Sequence, residues 1–448
     1  MIAMTAPSSK SLSHRMLIGA ALARGTSVLR RVLASDDITR TRRILCAAGA
    51  RMEDIQGGDL RVNGVAGMPR GADSAGTDAL SCDVHESGTT CRLLTAVLAA
   101  GQGRFRIRGA PRMHERPIGA LASVLEKLGA AVHWEGRRGC PPFVLETPGM
   151  KGGMVEIGLD ESSQYLSGLL LAAPLCREAL IITLGGEKTV SWPYVGLTLQ
   201  ALEDFGIPFE VREKAEEPSS GAAGPDTWIK ADWRSLTEAR PGGLRFHMQP
   251  AAYTAGNFQV EGDWSGASYF LAAGAVGQCP VRVEGLRNNS LQGDRAIMDI
   301  LRRMGARVED DGTCVAVHPS RLHGIDVDMG HCPDLAPTVA VLAAFAQGAT
   351  TIRNVAHLRI KESDRIAAPA ANLRAAGITV QEHGDGLTVE GGTPRPATLF
   401  RAFGDHRIAM SAAVLGIRHG PARLDAPEVV AKSFPAFWDL WEKILVQA

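Results

Sequence analysis

Pro7-Ser8-Ser9-Lys10-Ser11-Leu12-Ser13-His14-Arg15 runs into Met16-Leu17-Ile18-Gly19-Ala20-Ala21-Leu22-Ala23, and this stretch is the template for the chain. Small polar residues open an apolar helix. A Gly follows, then a β-branched strand, then a second helix with a polar face. The first turn of the opening helix breaks a local rule. Lys10 precedes it, and Arg15 lies four residues after Ser11, one turn up on the same face. A helix N-terminus already carries roughly half a positive charge, so cations belong at the other end. An anion held between free N–H groups, Lys10 and Arg15 would resolve the conflict. Two solvated side chains are the alternative.

The same unit recurs to the end of the sequence. Apolar helical segments stand at 11–23, 88–99, 162–173, 265–276, 334–346 and 405–415, each opened by Ser, Gly or Asp. Each is apolar around most of its circumference, which predicts burial on all sides. Short strands are predicted after them at 27–29, 105–107, 180–183, 281–283, 350–352 and 422–424. A second, more amphipathic helix follows in each unit. Five of these end on Gly49, Gly129, Gly206, Gly305 and Gly377, as a left-handed C-terminal cap requires. Six α/β units predict two domains of three units each. A single long α/β sheet is the alternative, but fully buried central helices in an internal repeat argue against it. The boundary is expected near Glu261-Gly262-Asp263, and 212–243, rich in Glu, Ser, Pro and Gly, reads as a solvated insertion.

Composition excludes several classes of function. Across 448 residues, 45% hydrophobic and 21% charged, the formal net charge is zero, so nothing pulls the whole protein toward nucleic acid or an anionic membrane. Any anion binding must be local. The eight Cys are scattered without a Cys-x-x-Cys pair, which fits free thiols in a reducing cytosol and a cytoplasmic protein. The N-terminus carries no signal pattern, and no apolar run approaches a membrane span. There is no G-x-x-x-x-G-K-[ST] loop, and Gly101-Gln102-Gly103 fails the dinucleotide fingerprint. His85-Glu86 and His114-Glu115 lack the second His of a zincin motif, and His331-Cys332 reads as structural rather than metal-binding.

The helix-start anomaly repeats. Ser87-Gly88-Thr89-Thr90 leads to Arg92 in a first turn, and Asp405-His406-Arg407 does the same. Ser162-Ser163-Gln164 offers neutral donors beside open N–H groups, and Asp334 reads as an ordinary cap. Several anomalies at equivalent places point to a shared anion-binding cleft. Arg112–Pro117, Lys188–Ser191 and Arg359–Arg365 add charge at the turns before second helices. Lys361/Asp364 and Glu362/Arg365 stand at helical spacing, so local ion pairs are the alternative there.

These residues resemble a known family. Pro7–Arg15, Ser35-Asp36-Asp37, Ser87-Gly88-Thr89, Arg112-Met113-His114-Glu115-Arg116-Pro117, Ser162-Ser163-Gln164, Asn289–Asp294, Pro333-Asp334, Lys361-Glu362-Ser363-Asp364-Arg365, Gly404–Arg407 and Ala431–Pro435 are similar, in order, to the 3-phosphoshikimate 1-carboxyvinyltransferase (EPSP synthase) family. The resemblance implies a two-domain inside-out α/β barrel with three repeats per domain. The domains would be 9–261, and 262–448 together with 1–8. It implies transfer of an enolpyruvyl group from phosphoenolpyruvate to the 5-hydroxyl of shikimate 3-phosphate, by a monomer, with no metal or organic cofactor.

By motif, the resemblance implies that Lys10, Ser11 and Arg15 hold the shikimate end, with Lys10 also reaching phosphoenolpyruvate. Ser162, Ser163, Ser191 and Lys361 would grip the 3-phosphate, and Gln164 would lie between the substrates. Gly88, Arg116, Arg365, Arg407 and Lys432 would bind phosphoenolpyruvate. Asp334 would take the 5-hydroxyl proton, and Glu362 would partner the proton transfer at the methylene carbon. Two carboxyl groups of opposite initial protonation suit an addition followed by an elimination. The sequence departs from the family at Glu86 and His357, each where Asn is usual, at Leu93 where Pro is common, and in a short segment before Pro7, where a truncated first strand or a misread start is expected. The sister reading is an enolpyruvyl transferase acting on UDP-N-acetylglucosamine, but its loop Cys has no counterpart in 111–117. A non-catalytic anion-binding scaffold is the remaining alternative.

Overall fold

Apolar residues all round a helix leave it no face for water, and the six such segments form the buried centres of the fold. They are Lys10–Leu22, Gly88–Ala99, Gln164–Ala172, Trp264–Val276, Ala336–Ala344 and His406–Leu415. Every residue from Leu12 to Leu22 is buried, as is all of Trp264–Val276 except Ser265. Close approach is part of this packing: a Cβ on Gly168 would sit 2.9 Å from the Arg92 carbonyl on the neighbouring helix. The coordinates are a computed structural model that describes residues 1–73, 78–215, 227–396, 399–418 and 422–447.

The chain divides into two compact units. One comprises Met1–Lys10, Leu33–Asp36 and Glu261–Ala448, and the other Ser11–Val32 and Asp37–Val260. Sheets in both follow one plan, in which a strand pairs parallel with the strand after a buried helix, and antiparallel strands complete the sheet. In the first unit, Ile2–Thr5 lies parallel to Val281–Glu284, with Ile2 opposite Val281, and Val281–Glu284 runs antiparallel to Cys314–His318. All four residues of Ile2–Thr5 pair with Val281–Glu284. Asp326–Asp328, Ala349–Arg353, Gly386–Glu390 and Val380–His383 repeat the order. In the second unit the plan recurs in three sheets, whose parallel pairs are Asn257–Gln259 with Thr26–Arg30, Leu80–His85 with Gly103–Gly109, and Gly153–Leu159 with Leu180–Thr189.

The fold is α/β with mixed sheets. Gly49, Gly129, Gly206, Gly305 and Gly377 all have positive φ, as the predicted helix stops require. Three expectations need correction. Among the described residues 422–424 form no strand, and Leu424 makes an isolated bridge to Phe400. Asp334 is not a cap: it lies in the 3-10 turn Pro333–Leu335, and no side chain caps the following helix. The stretch 212–243 is not all solvated insertion, because Trp228–Lys230 forms the edge strand of a five-stranded sheet and pairs with Phe209–Lys214 beside it; its residues 216–226 lie outside the described residues.

Candidate active site

Each unit gathers polar side chains at the starts of its buried helices. In the unit that contains Ser11–Val32, Arg15 is 1% exposed. Its Nε donates to Thr198 Oγ1 at 2.8 Å, and its Nη atoms donate to the carbonyls of Ser11 (2.7 Å) and Tyr194 (2.9 Å) and to Ser167 Oγ (3.3 Å). The solvated alternative is therefore wrong for Arg15. Among the described residues, none of these acceptors is a carboxylate. Burial pulls the guanidinium down to about 10. A buried cation surrounded by neutral oxygens is short of a counter-charge, and an anion would supply it.

The second cluster of this unit lies around Gly88. Ser87 caps the helix by accepting from the Thr90 N–H at 3.2 Å. Arg116 Nη1 donates to the Glu86 carbonyl at 3.1 Å, and a Cβ on Gly88 would sit 2.4 Å from Arg116 Nη2. Only glycine leaves that guanidinium its place over the helix start. Gln164 Oε1 accepts from Arg92 at 3.0 Å, Gln164 Nε2 donates to Thr89 Oγ1 at 2.9 Å, and its backbone N–H donates to Ser162 Oγ at 3.2 Å. Ser162, Ser163 and Ser191 are buried, and Ser191 has φ 55. Cys91 is buried behind Gly88, which pushes its thiol up to about 11.

In the other unit, carboxylates bridge cations. Asp334 accepts from Arg365 Nη1 at 3.0 Å and from Arg407 Nη2 at 2.7 Å. Glu362 lies 2.9 Å from Arg365 Nη2 and 3.5 Å from Lys432 Nζ. Asp405 accepts from Arg365 through Nε (2.8 Å) and Nη2 (3.1 Å), accepts from Ser363 Oγ (3.0 Å), and caps the last buried helix through the Arg407 N–H (3.0 Å). Burial opposes the Arg365 charge, but Asp405, Glu362 and Asp334 outweigh it and raise its affinity for the proton. His406 is held neutral, by burial first and then by Lys10, Arg365, Arg407 and Lys432. Side-chain exposures of 18% at Asp334 and 11% at Glu362 leave both within reach of a small molecule. Lys10 is half-buried, and its backbone N–H is taken by Asp263 at 3.0 Å. His357 is buried in the 3-10 turn Ala356–Ile360, and half-buried Lys361 follows directly.

The structure thus links Asp334, Glu362, Arg365, Arg407 and Lys432 in one unit, and Gly88 with Arg116 and Ser162 with Gln164 in the other. It separates Arg15 from the Gly88 group, with Gln164 and Ser167 on one helix between them. Local pairing explains Glu362/Arg365, but Asp364 accepts from Arg359 at 2.8 Å and from the N–H groups of Ile366 and Ala367. Sequence reasoning gave no site role to Asp405 or Arg92 and missed the Thr198, Ser167 and Tyr194 cradle. Asp405 and Arg92 stood in helix starts already marked by their charge; the cradle had no local signal. Among the described residues no group of three or more His, Cys, Asp or Glu could hold a metal ion, and no helix is long and apolar enough to cross a membrane.

The family model for EPSP synthase (3-phosphoshikimate 1-carboxyvinyltransferase) matches residues 3–232 and 237–441. The chain is 36% identical over 438 residues to the 3-phosphoshikimate 1-carboxyvinyltransferase of a Marinomonas species, covering 98% of this chain and 95% of that one. It is 38% identical over 442 residues to the enzyme of the same name from Methanosphaerula palustris, with the same coverage. The solved EPSP synthase from Acinetobacter baumannii superposes with TM-score 0.74 at 25% identity, over 99% of this chain and 95% of that one. The enolpyruvyl transferase NikO from Streptomyces tendae shares the fold, with TM-score 0.70 at 18% identity over 99% and 94%. The chain belongs to the EPSP synthase (3-phosphoshikimate 1-carboxyvinyltransferase) family.

Proposed function

We propose that the chain transfers the enolpyruvyl group of phosphoenolpyruvate to the 5-hydroxyl of shikimate 3-phosphate, releasing phosphate. Family membership over nearly the whole chain supports this, and the UDP-N-acetylglucosamine and non-catalytic readings are not favoured. Each domain, 9–261 and 262–448 with 1–8, is read as three repeats of an inside-out α/β barrel. The observation that carries the site is the contrast between its cations. Among the described residues Arg15 is buried against neutral acceptors, whereas Arg365 and Arg407 share the carboxylate of Asp334.

Arg15, with Ser11, Ser162, Ser163, Gln164, Ser191, His357 and Lys361, seats shikimate 3-phosphate. Arg116 over Gly88, Arg365, Arg407, Lys432 and Lys10 seat phosphoenolpyruvate. The 5-oxygen adds to C2 of phosphoenolpyruvate as C3 gains a proton; loss of a proton from C3 then expels phosphate from C2. Asp334 accepts the hydroxyl proton and Glu362 serves C3. Both Asp334 oxygens are taken by guanidiniums. The phosphate and carboxylate of phosphoenolpyruvate compete for those guanidiniums, which frees Asp334 to accept the proton when both substrates are bound. No metal is needed, because the cations supply the charge stabilisation.

Calorimetric titration tests the reading: shikimate 3-phosphate gives a binding isotherm and UDP-N-acetylglucosamine gives none, and the reverse result contradicts it. Lys10→Ala is expected to raise the KM for phosphoenolpyruvate about tenfold; an unchanged KM removes Lys10 from the site. Gly88→Ala is expected to raise the same KM about tenfold by displacing the Arg116 guanidinium. Its melting temperature should stay near wild type, because the atom displaced is the far end of a flexible side chain. A wild-type KM would contradict the place given to Arg116.

A further inference from the structure

One carboxyl group near Asp334 has no part in the reaction described above. Asp294 lies in the 3-10 turn Gly293–Ala296 and is fully buried. Its Oδ2 accepts a hydrogen bond from Ser265 Oγ, and its Oδ1 has no hydrogen-bond partner among the described residues. Ser265 Oγ in turn lies 3.5 Å from Arg407 Nη2, the same nitrogen that donates to Asp334 at 2.7 Å. One hydroxyl therefore joins Asp294 to the guanidinium. An unpaired oxygen on a buried carboxyl is costly and calls for an explanation.

We propose that Asp294 is a positioning residue for phosphoenolpyruvate, acting through Ser265 on the Arg407 guanidinium. The inference rests on the reading of Arg407 as a phosphoenolpyruvate ligand. Charge supplies the physical content. The groups that face Asp294 are Asp334, Arg407, Asp263 and Cys332. Burial, then repulsion from Asp334, lifts its carboxyl to about 7, against the pull of Arg407 and Ser265. A buried carboxyl beside a second carboxylate ionises less readily. In its neutral form Asp294 fixes the Ser265 hydroxyl without competing for Arg407. Once ionised, it adds a negative charge beside the guanidinium that the incoming anion must use. The affinity for phosphoenolpyruvate should therefore fall as pH rises through the range where Asp294 loses its proton.

The test measures the KM for phosphoenolpyruvate at saturating shikimate 3-phosphate, at about pH 6 and about pH 8.5, in wild type and in Asp294→Asn. Ionisation of phosphoenolpyruvate itself is common to both enzymes and cancels in the comparison. The wild-type KM is expected to rise across that span about threefold more than the variant KM. Equal slopes overturn the proposal. Ser265→Ala is expected to raise this KM about threefold at both pH values, with shikimate 3-phosphate affinity unchanged. Equal loss of both affinities marks a merely structural role and also overturns it. Arg407→Lys separates the two levels. A variant with wild-type phosphoenolpyruvate KM contradicts the reading of the site itself; a raised KM beside equal Asp294→Asn slopes contradicts the role of Asp294 alone.

Discussion

Asp334→Ala is expected to lower turnover about 100-fold or more while phosphoenolpyruvate binds as well as before or more tightly. The first effect follows from removal of the group assigned to the 5-hydroxyl proton. The second follows from geometry. Asp334 occupies one nitrogen of Arg365 and one of Arg407, so its removal hands both to an incoming anion. A residue that served only to hold the two arginines would behave differently, because its loss would loosen them and weaken phosphoenolpyruvate binding. Steady-state kinetics with both substrates, together with a titration of phosphoenolpyruvate, separates the cases. Near-wild-type turnover would remove the proposed base; lost affinity with intact turnover would recast Asp334 as a brace.

Asp405→Ala is expected to destabilise the protein by about 3 kcal/mol or more, read from the urea or thermal midpoint. Asp405 is fully buried, and it meets Arg365, itself 3% exposed, through two oxygens. Breaking such a pair strands a buried cation, and the buried helix at His406–Leu415 loses its cap as well. Glu362 and Asp334 still face Arg365, which keeps the cost toward the lower end of the usual range. The double variant Arg365→Ala/Asp405→Ala should be less than additive, because the second change removes the stranded charge. A wild-type midpoint for Asp405→Ala would show that Arg365 does not depend on this partner.

The repeat was legible because its signals are local. Continuous apolar helices and Gly stops are written within a dozen residues each, and tertiary structure had only to leave them in place. The strand at 422–424 failed for a related reason: Ala-Arg-Leu alternates like a strand, but its described pairing is one bridge to Phe400. The site was legible as a list of cations and illegible as a set of partners. Asp before an apolar run reads as a cap. That Asp334 is instead an ion-pair bridge depends on Arg365 and Arg407, 31 and 73 residues further on. Arg15 announced itself as a misplaced cation, yet Thr198, Tyr194 and Ser167, which bury it, lie 183, 179 and 152 residues away. Asp364 lies near enough in sequence to pair with Lys361, but the backbone bends at 361–363 instead of continuing a helix, and Asp364 accepts from the N–H groups of Ile366 and Ala367.

Phosphate release with each acceptor in turn, in the presence of phosphoenolpyruvate, asks most directly whether these helix starts serve a shikimate ester. Release with shikimate 3-phosphate and none with UDP-N-acetylglucosamine is the predicted result. Release with the nucleotide sugar alone, or with neither acceptor, would contradict it.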